Sequence, residues 1–248
     1  MSLSPEQIKR YKRQTVLKEI GPKGQEKISA SKVLIIGVGG IGSPAAMYLA
    51  AAGVGTIGLA DGDKIDISNL QRQIIHSTDD IGRLKTASAK ERIAAINPQV
   101  NVQTHDVWVD ASNIGEIIIA YDFIIDATDN FVAKFLINDA CVCAQKPFSH
   151  GGVMAFQAQT LTCVPGTTCY RCIFSDPPPL GLMPTCAEMG VLGSVVGILG
   201  AIQATEALKY LADIKDLLIN CLLIFDAKTM HFRKVYFNRN PRCAACGK

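Results

Sequence analysis

The sequence feature that most restricts the fold is a glycine cluster that directly follows an apolar run. The run Lys32-Val-Leu-Ile-Ile-Gly37 has the composition of a buried strand, and Gly37-Val-Gly-Gly-Ile-Gly42 has the spacing G-x-G-x-x-G. The helix-like segment SPAAMYLAAAG comes next, so the pattern predicts a strand, a tight turn and a helix. Bare backbone amides and the positive helix end can bind a phosphate chain there, although this spacing does not distinguish NAD from ATP.

Strand-like and helix-like segments alternate up to about residue 150. A second strand ends on Asp61, a position from which a carboxylate can accept ribose hydroxyls. The predicted strands of this part are Lys32–Gly37, Thr56–Asp61, Val100–Val107 and Tyr121–Asp126, and the predicted helices are SPAAMYLAAAG, Leu84–Ile96, a polar helix after Val107, and Asn130 to about Cys143. Such alternation predicts an α/β fold with a Rossmann-like, open, mostly parallel sheet.

The second half of the chain changes character after Pro147 and looks like a C-terminal lobe added to the same sheet. We expect one strand over Val153–Val164, a loop rich in proline and glycine over Ser175–Pro184, a long helix that ends near Leu211, and strands near Leu218–Asp226 and Met230–Phe237. No internal repeat or flexible linker separates a second domain.

Composition excludes several classes of function. The chain has 248 residues, 48% of them hydrophobic, and a net charge of +3 that is too small to imply binding to nucleic acid or to an anionic membrane. The N-terminus lacks the apolar region of a secretory signal, so a cytoplasmic protein is expected. The most apolar stretch, Val191–Ile202, is about a dozen residues long, whereas a membrane span needs ~20, so we interpret it as a buried helix.

Charged residues near the strand ends favour a triphosphate. The segment NLQRQIIHSTDDIGRLK supplies Arg72 and Lys85 just beyond the second strand, and Arg13 is available from the opening segment. A lone arginine or lysine is as often a solvated surface residue, but three cations at these positions suit ATP. The segment DATDN then offers a carboxylate for Mg²⁺ at the end of a strand; Asp129 is preferred, because Asp126 has an alternative as a strand-end residue bonded to the next turn.

Two of the cysteine pairs have the spacing of a metal site. Cys169-Tyr-Arg-Cys172 and Cys243-Ala-Ala-Cys246 together fit a tetrahedral Cys₄ zinc with no open position, which is a structural site. The two pairs fit a redox role less well than a metal site, because neither pair follows the first strand of a thioredoxin-like unit. Of the other five cysteines, the four at positions 141, 143, 163 and 221 are expected to be buried thiols, and the four histidines share no ligand spacing.

Cys186 differs from these thiols because it follows the loop DPPPLGLMPT and precedes a helix. It is either a reactive thiol near a helix N-terminus or an incidental loop cysteine.

Taken in order, the motifs RYKRQ, GVGGIG, ADGDKIDISNLQRQ, GRLK, DATDN, CYRC, TCAEMGVLG and CAACG resemble the HesA/MoeB/ThiF family, relatives of the ubiquitin-activating enzymes. The resemblance extends from about residue 10 to the end and implies adenylylation of the C-terminal glycine of a small β-grasp sulfur-carrier protein, with release of pyrophosphate. The segment PPPLGLMPTCAEMGVLG is more similar to the MoeB branch, which serves molybdopterin synthase, than to the ThiF branch, which serves thiamine synthesis.

The resemblance also implies roles for individual residues. Asp61 binds the ribose, Arg72 and Lys85 bind phosphates, Asp129 binds Mg²⁺, and Arg13 reaches into the site of a partner subunit, which implies a homodimer with two composite sites. The residues expected to line the nucleotide beside these are Gly37, Gly39, Gly40, Gly42, Asn69 and Gln73. The resemblance leaves the role of Cys186 open, because the cysteine of this loop is a covalent participant in the ThiF branch and is less essential in the MoeB branch.

The implied organisation has an N-terminal helical segment over 1–30 and a single ThiF-like domain over 31–248, with a nucleotide-binding half over about 31–150 and a half for zinc and the carrier over about 151–248. Some relatives carry a C-terminal sulfurtransferase domain; this sequence stops two residues after Cys246, so a separate sulfur donor protein is expected.

Two other classes of function stay open at this stage. An NAD-dependent oxidoreductase is compatible with the glycine motif but leaves the cations and Asp129 unused. A catalytically silent binding subunit is compatible with the fold but is disfavoured by the presence of Arg13, Asp129 and Cys186 together.

Overall fold

The computed structural model describes residues 3–179 and 186–247, with the backbone alone for residues 186 and 187. Its helices within these ranges are α1 (Pro5–Arg10), α2 (Lys12–Thr15), α3 (Gly21–Ala30), α4 (Gly42–Ala52), α5 (Lys85–Ile96), α6 (Ile114–Ile119), α7 (Phe131–Cys143), α8 (Tyr170–Ile173), α9 (Cys186–Met189) and α10 (Gly193–Leu211). Its strands are β1 (Lys32–Ile36), β2 (Thr56–Ala60), β3 (Asn101–His105), β4 (Phe123–Asp126), β5 (Phe148–Met154), β6 (Gln157–Cys163), β7 (Cys221–Asp226) and β8 (His231–Tyr236).

All of these strands belong to one sheet in the order β3-β2-β1-β4-β5-β6-β7-β8. Strands β1 to β5 run parallel, and β6, β7 and β8 extend the sheet as antiparallel neighbours. The predicted α/β class, the mostly parallel sheet and the lobe added to it are therefore confirmed. The chain leaves β1 towards β2 and later crosses to β4 on the other side, so a topological switch point lies between β1 and β4, where open α/β sheets bind their ligands.

Helices cover the parallel part of the sheet on both faces. Strand β1 sends Val33 and Ile35 into a core shared with α4, α5 and α10, and it sends Leu34 and Ile36 into a second core shared with α6, α7 and α8. This alternation follows from the two-residue period of a strand, and burial on both sides explains why β1 is a continuous apolar run. The predicted buried helix of the second half is α10, which packs against α4 and the centre of the sheet.

The prediction for one strand is wrong, because the segment contains parts of two strands. The single strand expected over Val153–Val164 is a hairpin of β5 and β6, in which Phe148 pairs with Cys163 and Met154 with Gln157. The turn falls at Ala155, which has a φ of 51°, and no glycine, proline or asparagine marks it in the sequence. The first strand of the hairpin also contains Ser-His-Gly-Gly, which lacks the alternation that predicts a strand.

One predicted buried thiol is also wrong. Cys141, Cys163 and Cys221 are buried, whereas Cys143 is exposed. Cys141 and Cys143 lie two residues apart on α7, and a separation of two residues places side chains on nearly opposite faces of a helix. The last part of the predicted loop Ser175–Pro184, from residue 180, lies outside the described residues.

Candidate active site

The glycine motif lies at the carboxyl end of β1, at the switch point. Gly37 has a φ of +93°, and a Cβ on Gly37 would stand 2.8 Å from the carbonyl oxygen of Ala127 in the loop after β4. A Cβ on Gly42, the first residue of α4, would stand 2.0 Å from the carbonyl oxygen of Gly37. Any side chain at these two positions would therefore push the turn away from β4 or from α4. No side chain caps the start of α4 within the described part of the chain, which leaves its amides and positive end for an anion.

Asp61 follows β2 and holds this turn from one side. Its two carboxylate oxygens accept the amide of Val38, at 2.7 Å, and the amide of Asp63, at 2.8 Å. An ionised carboxylate has about four lone-pair positions, so two bonds to amides leave acceptor capacity for ribose hydroxyls. The predicted ribose ligand is thus also the residue that orients the glycine turn.

His76 bonds the same residue of the turn, Val38, through its carbonyl group and was not predicted as a site residue. Its Nε2 lies 3.2 Å from the carbonyl oxygen of Val38, and its Nδ1 lies 2.9 Å from Oγ of Ser88. Because a carbonyl only accepts, Nε2 carries the hydrogen and Nδ1 accepts from the serine hydroxyl when the ring is neutral. Burial lowers the pKa of His76 below its ordinary value, which keeps the ring in this neutral form.

The predicted phosphate ligands lie around the turn. The Cγ atom of Arg72 is 3.5 Å from the position of a Cβ on Gly40, and its Nη1 donates to the carbonyl oxygen of Ser68 at 3.0 Å. Gln73 is buried with its Nε2 3.6 Å from a Cβ on Gly39, and its Oε1 has no partner within residues 3–179 and 186–247. A buried amide oxygen without a partner is costly, so Gln73 presents an acceptor next to the turn that a donor group of a ligand can satisfy.

Two further predicted ligands already bond to neighbouring residues. Lys85 is the first residue of α5, and its Nζ donates to Oδ2 of Asp63 at 2.7 Å, so its charge is held next to the Asp61 loop. Asn69 uses its Oδ1 to accept the amide of Asp66 and closes a capping box, which shapes the segment that carries Arg72.

The acidic loop, residues 126–130, begins at the last residue of β4 and lies next to the glycine turn. Asp126 is buried, and its Oδ1 accepts the amide of Thr128 at 3.1 Å and the hydroxyl of Thr128 at 2.7 Å. This is the strand-end role that sequence analysis offered as its alternative. The carboxylate of Asp129 is exposed and forms no hydrogen bond or ion pair with any residue of the described ranges. An unpaired carboxylate at a strand end is the oxygen ligand that Mg²⁺ prefers, so the residue present fits that ion.

The electrostatics of Asp126 separate it from Asp129. Burial alone would raise the pKa of Asp126, but the charge of Lys134 and hydrogen bonds from His150 and Thr128 outweigh burial and lower that pKa to about 2. The Nδ1 of His150 lies 2.9 Å from Oδ2 of Asp126, and burial lowers the pKa of His150. Asp126 is therefore ionised, and its carboxylate oxygens are already bonded to Thr128 and His150.

Arg13 lies away from the glycine turn of its own chain. Its helix, α2, contacts the end of α4, where Nε2 of Gln14 donates to the carbonyl oxygen of Ala52 at 3.1 Å. The glycine turn is at the start of α4, and a helix of 11 residues is about 16 Å long. Arg13 is exposed at this far end, so the structure does not bring it together with Arg72, Lys85 and Asp129 within one chain.

The predicted metal site forms a compact cluster. The four sulfur atoms of Cys169, Cys172, Cys243 and Cys246 all lie within 4.8 Å of one another, and three of the distances are 3.3, 3.6 and 3.9 Å. Zn–S bonds of ~2.3 Å in a tetrahedron put sulfur atoms ~3.8 Å apart. The four thiols therefore fit a structural zinc and leave no position for a substrate.

Cys186, the remaining predicted site residue, begins α9, and its side chain lies outside the described residues.

Comparison with known proteins agrees with this arrangement. Residues 11–245 match the model described as "ThiF family". The chain belongs to the ThiF family. This result confirms the resemblance seen in the motifs. Among the described residues, no helix has the length and apolar composition needed to cross a membrane.

Three curated relatives give the family more detail. The chain is 43% identical to the SAMP-activating enzyme E1 of Haloferax volcanii over 100% of this chain and 92% of that protein. It is 41% identical to the sulfur carrier protein adenylyltransferase of Thermus thermophilus over 100% of this chain and 93% of that protein. It is 38% identical to the adenylyltransferase and sulfurtransferase MOCS3 of Anopheles gambiae over 99% of this chain but 56% of that protein.

A solved structure shows the same architecture. The structure of E. coli MccB with ATP is similar with a TM-score of 0.78 and 26% identity, over 91% of this chain and 69% of that chain. Two of these relatives are named as adenylyltransferases and the structural neighbour was solved with ATP, so the comparisons support an ATP-using adenylyltransferase family.

Proposed function

We propose that this protein adenylylates the C-terminal glycine of a small β-grasp sulfur-carrier protein with ATP and releases pyrophosphate. The observation that carries the proposal is the convergence of the glycine turn, Arg72, Lys85 and Asp129 on the carboxyl ends of β1, β2 and β4, in a chain of the ThiF family. A carrier of the MoeB type, for molybdopterin-type cofactor synthesis, is the preferred substrate, and the thiamine carrier is the alternative.

The chemistry requires positioning and charge more than covalent help from the protein. A carboxylate oxygen of the glycine attacks the α-phosphorus, and the bond from that phosphorus to the oxygen bridging to the β-phosphate breaks, so the electron pair leaves with pyrophosphate. Because both reactants are anions, cations must stand where charge develops. Arg72, Lys85 and the start of α4 provide this charge, and Mg²⁺ held by Asp129 would neutralise the phosphate oxygens when it is bound.

The partner proteins follow from the same proposal. We propose a homodimer in which Arg13 of each protomer completes the site of the other, because Arg13 is exposed near the end of α4 that lies opposite its own glycine turn. We propose a separate sulfur donor for the later thiocarboxylate step. Since the reaction consumes ATP and the zinc thiolates must stay reduced, we propose that the protein acts in the cytosol.

The carrier itself needs a docking surface near the site. The antiparallel strands β6 to β8 leave an open groove of about 340 Å³, lined by polar side chains and Ile224. Its lining residues are Gln157, Gln159, Ile224, Asp226, Thr229, His231 and Arg233. This groove lies in the half of the chain that sequence analysis assigned to the carrier, and we propose it as part of the carrier surface.

ATP–pyrophosphate exchange with two purified carriers tests the function. We expect exchange with the small subunit of molybdopterin synthase and little or none with the thiamine carrier, and we expect loss of exchange when the terminal glycine of the active carrier is deleted. Calorimetric titration with ATP·Mg²⁺ and with NAD is the accompanying control. Binding of NAD without binding of ATP would overturn the proposal. Binding of ATP without exchange on either carrier would overturn the assignment of a sulfur carrier as the substrate.

Cys186 belongs to the step after adenylylation. We propose that its thiolate either attacks the carboxyl carbon of the adenylate and forms a thioester as AMP leaves, or takes the outer sulfur of a persulfide on the donor protein as the donor thiolate leaves. The position of Cys186 supports this, since it follows a loop rich in proline and begins α9. The variant Cys186→Ala should keep ATP–pyrophosphate exchange and slow thiocarboxylate formation with the physiological sulfur donor. Thiocarboxylate formation at the wild-type rate would remove Cys186 from the mechanism.

A further inference from the structure

A buried cation stands behind the acidic loop, and the proposed reaction makes no direct use of it. Lys134 lies on the first turn of α7 with 7% of its side chain exposed, and its Nζ is 3.5 Å from Oδ2 of Asp126. Lysine is almost never buried to this degree unless it is paired. The pairing with Asp126 explains why the charge is tolerated, but it does not explain the other bonds of the ammonium group.

Two of those bonds go to backbone carbonyls. Nζ of Lys134 donates to the carbonyl oxygen of Thr128 at 2.6 Å and to the carbonyl oxygen of Gly151 in β5. The carbonyl of Thr128 belongs to the peptide group that joins Thr128 to Asp129. Lys134 therefore holds the peptide from which the Asp129 side chain departs.

The residues on each side of Asp129 are held as well. Thr128 is bound through its amide and its hydroxyl to Asp126. Asn130 caps α7, where its Oδ1 accepts the amide of Ala133 at 2.8 Å. The loop is thus bonded at Thr128, at the Thr128–Asp129 peptide and at Asn130, while the Asp129 carboxylate is exposed.

Asp126 is in turn anchored to the centre of the molecule. His150 of β5 bonds to its carboxylate, and Nε2 of Gln203 on α10 donates to its carbonyl oxygen at 3.1 Å and to that of Ser149 at 3.0 Å. The loop after β4 therefore rests on side chains from α7, β5 and α10. Such support is what a ligand carboxylate needs, since binding groups lose affinity when they are misplaced by a fraction of an ångström.

We propose that Lys134 is a positioning residue for Mg²⁺-dependent ATP binding, in which its ammonium group orients the Thr128–Asp129 peptide and thereby the Asp129 carboxylate. The inference rests on the proposed function for the assignment of Asp129 to Mg²⁺. A lysine that served stability alone would neutralise Asp126 without affecting the metal dependence of ATP binding.

ATP affinity with and without Mg²⁺ tests this inference without any carrier protein. In Lys134→Met we expect the ATP affinity in EDTA to stay within about twofold of wild type and the gain from Mg²⁺ to fall by about tenfold or more. Lys134→Arg, which keeps a cationic donor, should recover most of the gain. Ile137→Val removes a buried methyl group from the same helix. This variant is the control for destabilisation and should keep the wild-type gain in ATP affinity from Mg²⁺.

A double variant separates positioning from a structural role. If Lys134 acts through Asp129, adding Lys134→Met to Asp129→Ala should change the remaining Mg²⁺ dependence by less than about twofold. If Lys134→Met does not fold, Lys134→Gln, which keeps a neutral donor, is compared in the same way. A wild-type gain from Mg²⁺ in the folded variant, or an equal loss in Ile137→Val, would overturn the inference. Failure of the proposed function would appear separately, as Mg²⁺-dependent ATP binding without carrier-dependent exchange.

Discussion

Asp129 and Asp126 are separated by two residues, yet their surroundings give them opposite roles. Asp126 is buried and bonded to His150 and Thr128, whereas Asp129 is exposed without an ion pair in the described chain. A carboxylate whose lone pairs are already occupied is a poor ligand for an incoming ion, and a free one is a good ligand. The difference arises because the loop places the Asp126 side chain inside the protein and the Asp129 side chain in solvent.

The first prediction concerns Asp129. Asp129→Ala should leave the fold intact and lower carrier-dependent ATP–pyrophosphate exchange by about two orders of magnitude, because one preorganised electrostatic contact contributes ~3 kcal/mol in the transition state. The matched control is Asp216→Ala, an exposed carboxylate in the loop after α10, which should keep wild-type exchange. Near wild-type exchange in Asp129→Ala would remove this residue from the site.

The second prediction concerns His76 and pH. Because its folded pKa is lowered by burial, the unfolded chain binds a proton near pH 6.5 that the folded protein does not. The contribution of the neutral ring to stability is therefore present above pH 6.5 and is lost as the pH falls towards the folded pKa, by up to ~1.4 kcal/mol per pH unit. His76→Gln should show a shallower loss of unfolding free energy between pH 6.5 and 5.5.

Urea unfolding at pH 7.5, 6.5 and 5.5 measures this slope. His231→Gln is the control, because His231 is exposed on β8 and its replacement should leave the wild-type slope. An unchanged slope in His76→Gln would show that the ring does not stay neutral while it bonds to the glycine turn.

At the scale of elements, the four-cysteine cluster joins the C-terminal tail to α8. The amide of Asn240 lies 3.4 Å from Sγ of Cys172, and Tyr170 between the first two cysteines packs on His150 with ring centroids 4.3 Å apart. The cluster thus connects the tail to the same buried group that supports the acidic loop. Its role is to hold elements together, since a closed Cys₄ site has no open ligand position.

The third prediction concerns this cluster. Cys243→Ser should lose about one zinc per chain and should unfold at a temperature lower by about 10 °C, because a structural metal contributes to folding free energy and each kcal/mol shifts Tm by ~2–4 °C in a domain of this size. Elemental analysis and calorimetry measure the two effects. Cys143→Ser, which removes an exposed thiol outside the cluster, should change neither. Wild-type protein purified without chelator and free of zinc would contradict the assignment.

At the scale of the whole molecule, the chain carries the proposed ATP-site residues near the start of α4 and Arg13 near its end. The exposed side chains around that end include Val16, Leu17 and Tyr48, which have half or more of their surface in solvent. Apolar side chains of this kind are consistent with a protein interface. A second protomer on this surface could bring Arg13 to a site that its own chain cannot reach.

The fourth prediction tests that geometry by mixing inactive subunits. Arg13→Ala and Asp129→Ala should each lose most exchange activity as pure dimers. After subunit exchange, half of the dimers are mixed and each contains one intact composite site, so activity should recover to about one quarter of wild type. Mass spectrometry confirms that mixed dimers have formed. No recovery in their presence would show that Arg13 does not act across the interface.

The family, the alternation of strands and helices, the glycine turn and the four-cysteine cluster could all be predicted from the sequence. The strands, helices and turn depend on local spacing: the period of a strand or helix and a glycine where a Cβ cannot fit. The cluster was indicated by two pairs of thiols, each three residues apart, and the family by the order of its motifs. Asp129 could be preferred over Asp126 from local position as well, because a carboxylate at the strand end can bond to the next turn, whereas Asp129 lies three residues farther along.

The tertiary structure alone decided the features that depend on residues far apart in the chain. The roles of His76 and Lys134 arise where side chains from several elements bond to one turn or loop, and no local pattern encodes that arrangement. The hairpin turn at Ala155 and the exposure of Cys143 were decided in the same way, by pairing across the sheet and by the face that α7 turns to the core. Sequence spacing specifies contacts within an element, whereas burial and orientation are set by packing between elements, which brings distant residues together.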